Sequence, residues 1–435
     1  MSEDEKIVPF RVGEWLPSDQ TVLENWLKEL IEELEGVEKA LVPVVEEFKD
    51  LIENDPTVYM LFTKMFNQVP NRPPYNKTPT GKPQVRDYQH MLQLINAIIQ
   101  RTPTFNETGL VGFPINAVID WPMGTPAGTN AFLNDKVNAH LKNILKEWGR
   151  FLKSKESSNV LTDKTPKDWF SGPALEAIAE MDPFRGVGDD PEDAMENFFY
   201  NFKCDPRKEH WGFNSWDDFF TREFNEGRRP IADENDAIAN ACESAPYRVA
   251  YGVKQHDTFW IKAQPYSLEH MLANDPLVKE FIGGTVYQAF LSAKSYHRWN
   301  SPVNGKIVKA YVQEGSYYAE ALSEGFDPSG PNDSQGYITE VATRAIIFIE
   351  SNNPDIRLMC VMPVGMSEVS SCEITVEVNQ QVNKGEQLGT FHFGGSTHCL
   401  FFRPGVRLAF DLHGQTPGLN SSNIPVNARL ATVCK

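Results

Sequence analysis

Val382-Asn383-Lys384-Gly385-Glu386-Gln387-Leu388-Gly389-Thr390-Phe391-His392-Phe393-Gly394-Gly395-Ser396-Thr397 is the run on which the reading of the second half turns. Asn383-Lys384-Gly385 supplies a tight turn, a short strand follows, and Gly394-Gly395 breaks it, because glycine accepts backbone conformations that side chains resist. The serine after that break adds a chemical possibility. Its hydroxyl can attack the preceding carbonyl only where the backbone is held in a strained turn, which glycine tolerates best. Gly395-Ser396 is therefore a candidate bond for self-cleavage, although a Gly-Gly-Ser taken alone marks no more than a turn.

Strand signals dominate from about residue 237 onward. Ile374, Val376 and Val378 alternate with polar residues, while Ala345-Ile346-Ile347-Phe348-Ile349 and Leu358-Met359-Cys360-Val361-Met362 read as strands buried on both faces. A second glycine-punctuated pattern, Pro302-Val303-Asn304-Gly305-Lys306-Ile307-Val308 leading to Glu314-Gly315, matches Val382 to Gly389 in style. Both look like the turn-and-strand hairpins of lipoyl- and biotinyl-type barrels. No lysine stands at a hairpin tip that such carriers modify, so the pattern predicts architecture and not a carrier function.

The first half reads as helical. Ser18-Asp19 can cap a helix with the stripe Leu23, Leu27, Leu30, Leu34. Further stripes are Val44, Phe48, Leu51, Ile52, then Tyr88, Met91, Ile95, Ile98, then Val137, Leu141, Ile144, Trp148. Asn71-Arg72-Pro73-Pro74 and Trp121-Pro122-Met123-Gly124-Thr125-Pro126 read as turns, and Gly186-Val187-Gly188-Asp189-Asp190-Pro191 as an acidic loop without the ligand spacing of a calcium loop. Aromatics at helical spacing between Gly212 and Phe224 read as packing. The expected class is α+β, with a helical domain over 1–209 and a mostly β catalytic domain over 210–435.

The chain has 435 residues, and 41 Lys and Arg against 59 Asp and Glu leave a net charge of -18. That balance argues against a nucleic-acid partner and against an anionic membrane surface. The N-terminus lacks a signal-peptide pattern and no apolar run reaches about 18 residues, so stable membrane insertion is not expected and the cytoplasm is the expected location. Six scattered cysteines without a CxxC pair suggest reduced thiols, with no zinc site or disulfide framework. Cys399 reads as a buried strand residue.

Four elements stand in one order: Arg222 to Arg229-Pro230, Ala241-Cys242-Glu243-Ser244, Tyr296-His297-Arg298-Trp299-Asn300-Ser301-Pro302-Val303-Asn304-Gly305, and Lys384-Gly385 through His392-Phe393-Gly394-Gly395-Ser396-Thr397. Together they resemble the phosphatidylserine decarboxylase family, and over nearly the whole length the chain looks most like that family's soluble fungal-type L-tryptophan decarboxylases. The resemblance implies a proenzyme divided between Gly395 and Ser396 into a large and a small chain that stay associated. It also implies a covalent pyruvoyl cofactor made from Ser396, in place of pyridoxal phosphate, whose ketone accepts the electrons released as CO2 leaves. Gly395 would supply the attacked carbonyl. His297 matches the first histidine of the family's Tyr-His-Arg-x-His element and would transfer protons. Glu243 takes the place of an acidic residue and would orient a histidine.

One position departs from the pattern. The family's second histidine, the base for self-cleavage, is Asn300 here, and an amide takes no proton near neutral pH. His297, or His392 or His398 flanking Ser396 in what reads as one strand, would then have to serve. An acidic, soluble extension points to a free amino acid as substrate, tryptophan or another aromatic by resemblance, with Phe393, His398 and Met366 as candidate wall residues. Phosphatidylserine decarboxylation, and an unprocessed non-catalytic homologue favoured by Asn300, are the alternatives. A serine hydrolase built on Ser396, His297 and Glu243 is weaker, since the Gly-x-Ser-x-Gly elbow is absent. Oligomeric state and metal dependence are open.

Overall fold

The computed structural model describes residues 20–34, 40–69, 85, 87–106, 114–182, 191–257, 266–292, 294–320, 334–368, 371–393 and 395–434. The first half forms a helical layer of α1 (Gln20–Leu34), α2 (Pro43–Asn54), α3 (Pro56–Gln68), α4 (Tyr88–Ile98), α5 (Pro114–Met123), α6 (Pro126–Phe132), α7 (Asp135–Leu152), α8 (Gly172–Ala179) and α9 (Pro191–Asn201), with the short α10 (Trp216–Phe220) after it. Prolines open α2, α3 and α6, where a missing N–H costs nothing. Asp55, Asp87, Asn134 and Ser215 cap α3, α4, α7 and α10 with side-chain oxygens.

The expected stripes are buried: Leu27 and Leu30, Phe48 and Ile52, all four of α4, and all four of α7. In α2, Val45 takes the inward place given to Val44, which with Leu51 is only partly buried. The Ser18-Asp19 cap, the Asn71 to Pro74 turn and Gly186 to Asp190 lie outside the described residues.

The stretch from Trp121 to Pro126 is a turn only at Gly124-Thr125: α5 runs through Pro122 to Met123 and α6 begins at Pro126. Burial of Ile115, Val118, Ile119 and Met123 outweighs the broken bond at Pro122, which stands in the last turn. Gly128 makes the sharp return possible, since a Cβ there would lie 1.9 Å from the Pro122 carbonyl oxygen.

The second half forms β1 (Ala237–Ala239), β2 (Ala245–Tyr251), β3 (Thr285–Leu291), β4 (Arg298–Asn300), β5 (Gly305–Gln313), β6 (Arg344–Ser351), β7 (Leu358–Met366), β8 (Ser371–Ile374), β9 (Gln381–Val382), β10 (Gln387–His392), β11 (Gly395–Phe402), β12 (Arg407–Phe410) and β13 (Arg429–Cys434). A seven-stranded sheet has the order β2-β3-β11-β7-β6-β5-β9, and two three-stranded sheets have the orders β1-β13-β12 and β4-β10-β8. One face of the large sheet, with Tyr287, Leu291, Val361 and Leu400, packs on Ile238, Trp299, Phe391 and Leu430 of the small sheets. Its other face, with Phe290, Met362, Val364 and Phe401, packs on α11 (Leu268–Met271) and α12 (Gln335–Val341). Hence β6 and β7 read as apolar runs, being covered on both sides.

The α+β class holds, but among the described residues no sheet closes into a barrel, every strand order being linear. The two glycine-punctuated turns pair with each other instead. Val382 faces Gly305, Gln387 faces Asn300, and the Ser301 amide donates to Glu386 O at 2.7 Å while Gly385 N donates to Ser301 O at 2.8 Å. Through this corner the chain passes from one sheet to the next. The alternation Ile374, Val376, Val378 also fails as a strand: β8 stops at Ile374, whose partner Gly389 lies near the start of β10, so no ladder remains and Val378 is exposed.

The helical layer meets the sheets through α10. Its Asp217 receives His392 Nδ1 at 2.9 Å, and His392 Nε2 reaches Glu373 of β8 at 2.7 Å. Burial opposes the charged imidazole, but the two carboxylates outweigh it and hold its pKa above the usual histidine value. A raised folded pKa means the stabilisation is full below the unfolded histidine range and is lost as pH rises through the folded value. His392→Gln is therefore expected to cost about 2 kcal/mol near pH 6 and much less near pH 9, measured by urea melts of both proteins at the two pH values; an equal gap at both would refute the charged bridge.

Candidate active site around Ser396

Ser396 lies on β11 between Leu291 of β3 and Gly365 of β7. It is fully buried, and its Oγ has no hydrogen-bond partner among the described residues. Leaving a buried hydroxyl unpaired costs about 1–3 kcal/mol, a cost that the Ser316 hydroxyl of this chain also carries. Thr397, next to Ser396, shows the contrast: on the opposite face, its hydroxyl donates to Ala289 O at 2.9 Å and accepts from Gln288 Nε2 at 3.0 Å.

The approach to Ser396 is strained. Phe393 has φ of 42°, the left-handed region that a bulky side chain disfavours, at a cost of about 1–3 kcal/mol. Its ring is held edge-on by Trp148 of α7, centroids 4.5 Å apart, and by Trp216 of α10 at 4.8 Å. Such pairs contribute about 0.5–1.5 kcal/mol each beyond burial, enough to offset the strain. The sequence points to glycine for the unusual backbone, and Gly394 lies outside the described residues; the phenylalanine before it carries a left-handed conformation of its own.

His297 is fully buried just before β4. Its carbonyl accepts from the Phe391 amide at 2.9 Å, and its ring stacks on Phe220 with centroids 3.9 Å apart at 23°. Phe220 in turn lies 6.1 Å from the Phe393 ring, so one aromatic cluster joins His297 to the turn before Ser396.

Glu243 is directed to an arginine. Both carboxylate oxygens receive Arg229, at 2.7 to 3.1 Å, and Oε2 also accepts the Val426 amide at 2.8 Å. Burial raises the carboxyl above its usual value, against the pull of Arg229 and the amide, and the guanidinium also pairs with Asp182 at 3.2 Å. Asn300 lies in the same neighbourhood: its Nδ2 donates to Asn427 Oδ1 at 3.1 Å, Asn427 follows Val426, and Asn427 Nδ2 donates to Arg229 O at 3.4 Å. The Asn300 Oδ1 is buried without a partner among the described residues. Glu243 is thus placed beside position 300, and its hydrogen bonds do not include His297.

The remaining candidates are spread out. His398 shares the Ser396 face of β11, and burial drives its pKa down to about 3, so it is a neutral ring and a weak base. His392 stands on β10, committed to Asp217 and Glu373, and so does not share a strand with Ser396. Met366 pairs with Gly395 and points to the opposite face, where Gln335 Nε2 lies 3.8 Å from its sulfur. Cys399 also faces away, and burial pushes its thiol up. Among the described residues no His, Cys, Asp and Glu cluster is placed to hold a metal ion, and no helix is long and apolar enough to cross a membrane.

Sequence reasoning missed Glu368, two residues beyond Met366. Its Oε1 accepts the Ile115 and Asn116 amides at 2.6 and 2.9 Å, tying the start of α5 to the end of β7, and burial lifts its carboxyl to about 8. A lone acid between Ser367 and Val369 carries no signal of burial in the sequence.

Two family models described as phosphatidylserine decarboxylase match the chain, one over residues 42–178 and one over 216–417. An L-tryptophan decarboxylase from Psilocybe cubensis is 36% identical over 419 residues, covering 92% of this chain and 90% of the relative. Decarboxylase iboD from Amanita muscaria is 41% identical over 315 residues, 69% of this chain and 86% of the relative. Phosphatidylserine decarboxylase proenzyme 3 from Schizosaccharomyces pombe is 32% identical over 201 residues, 45% of this chain and 19% of the relative. With helical and sheet halves both matched, and relatives aligned along most of their own length, the chain belongs to the phosphatidylserine decarboxylase family of carboxy-lyases.

Proposed function

We propose that this decarboxylase divides itself between Gly395 and Ser396 and then converts a free aromatic amino acid, tryptophan first, to its amine and CO2. The observation that carries the reading is the buried, unpartnered Ser396 Oγ directly beyond the left-handed Phe393. In the cleavage the Ser396 oxygen adds to the Gly395 carbonyl and the peptide C–N bond gives way to an ester. Elimination leaves Gly395 with a carboxylate, and hydrolysis of the resulting dehydroalanine releases ammonia and leaves a pyruvoyl ketone. That group fits here, since the orphaned hydroxyl has no structural task to lose. Its ketone supplies the electron sink for loss of CO2.

The chain's own residues do the rest. β3 and β7 hold residue 396 between them, and the same pairing keeps the large and small chains together. His297, fixed under Phe220, holds and returns the proton. Phe393, backed by Trp148 and Trp216, offers an aromatic wall and helps exclude water. Similarity to relatives named for tryptophan over both halves supports a free amino acid over a lipid, because the phospholipid proenzyme aligns with only 45% of this chain.

The unprocessed reading rests on Asn300. Intact mass separates the two: cleavage yields a large fragment and Ser396–Lys435, 40 residues, from the 49.2 kDa chain, and a lasting single species refutes the pyruvoyl mechanism. Asn300→His places a titratable ring beside Asn427 and Glu243, and is expected to speed cleavage at least tenfold, followed by a denaturing-gel time course; an unchanged rate removes position 300 from the cleavage machinery. For the substrate, CO2 release from tryptophan, tyrosine, phenylalanine and phosphatidylserine vesicles is measured with cleaved enzyme. Tryptophan is expected to lead, and turnover of vesicles alone sinks the amino-acid reading.

A further inference from the structure

The segment that follows α10 grips the His297 region at three consecutive residues. The Phe220 ring lies on the imidazole with centroids 3.9 Å apart. The Thr221 carbonyl accepts Arg298 Nε at 2.8 Å. Arg222 Nη2 donates to Lys294 O at 2.6 Å and to Ser295 O at 3.4 Å, while Nη1 donates to Phe219 O at 3.4 Å. Between Leu291, the cross-strand partner of Ser396, and His297 the chain has little length, and Lys294 and Ser295 lie on that path. Whatever fixes their carbonyls fixes the imidazole relative to Ser396.

Arg222 is an unusual residue for the task. It is 4% exposed and pairs with no described carboxylate; its guanidinium lies 4.5 Å from the Phe202 ring centroid and 5.3 Å from that of Phe219, and its Nε has no partner among the described residues. Burial pushes its pKa down to about 9. A buried cation held only by carbonyls and ring faces is costly, and a neutral side chain would pack there more cheaply. What the guanidinium provides is a planar fork that reaches α10 and the His297 path at once.

We propose that Arg222 is a positioning residue of the active site, locking the Lys294-Ser295 carbonyls so that His297 stands in register with residue 396. The inference rests on the reading of His297 as the proton-transfer group. Its test uses the full chain and has two arms. In cleaved enzyme, Arg222→Met is expected to lower kcat for tryptophan about 100-fold with KM within threefold, and Arg222→Lys to recover at least tenfold of that loss. In uncleaved Ser396→Ala protein with carbon-13 histidine, the His297 resonance, assigned with His297→Gln, is expected to shift and broaden on Arg222→Met while His413 stays put. A kcat within threefold of the parent, a loss confined to KM, or an unmoved His297 resonance overturns the assignment. If Arg222→Met does not fold, Arg222→Gln is judged by the same two criteria. Should the parent release no CO2 from any amino acid, the amino-acid reading falls, while the resonance arm still decides whether Arg222 sets the histidine.

Discussion

The left-handed backbone at Phe393 ties the two halves of the molecule together. A phenylalanine adopts that conformation only when its surroundings leave no alternative, and here the surroundings are Trp148 from the helical layer and Trp216 from α10. The helical half is therefore part of the turn that delivers the chain to Ser396. Its core takes in Phe393 together with Tyr317 and Tyr318, residues of the sheet half. A sheet half standing alone would lack the groups that hold this turn.

Polar groups around the site sort by how completely they are satisfied. His392 and Glu243 are saturated by opposite charges, which stabilises them and withdraws them from chemistry. Thr397 is saturated by backbone and amide partners. Against that background several buried polar atoms have no partner among the described residues, Arg222 Nε and both His398 ring nitrogens included, and with them Ser396 Oγ and Asn300 Oδ1. Unsatisfied buried groups cost free energy, and the last two lie at positions where the sequence pattern points to reaction.

Much of this was legible in the sequence, for identifiable reasons. The α4 and α7 stripes and the apolar runs of β6 and β7 could be read because periodicity records which faces are covered, and covering dominates their energetics. Ser396 and His297 could be singled out because the wording of their motifs is specific, and both are buried. Long-range register was not legible. Nothing local says that Val382 pairs with Gly305, so hairpins that suggested a barrel became a corner between sheets. The partners of Glu243, His392 and Arg222 were hidden for the same reason, since Arg229, Asp217 and Lys294 reach them only through tertiary contacts. The strain at Phe393 was hidden by its side chain, which on its own argues for ordinary strand geometry.

The position of β11 has a topological consequence. It is an interior strand, hydrogen-bonded along its length to β3 on one side and β7 on the other. A chain divided at its first residue would leave the shorter piece threaded through the middle of a sheet contributed by the longer one. Its β11 has no free edge from which to peel, although its β12 borders a small sheet, and a separated pair would have to reopen a seven-stranded sheet to find each other again. Division would then act as a one-way latch, set on a molecule that must already have folded as a single thread.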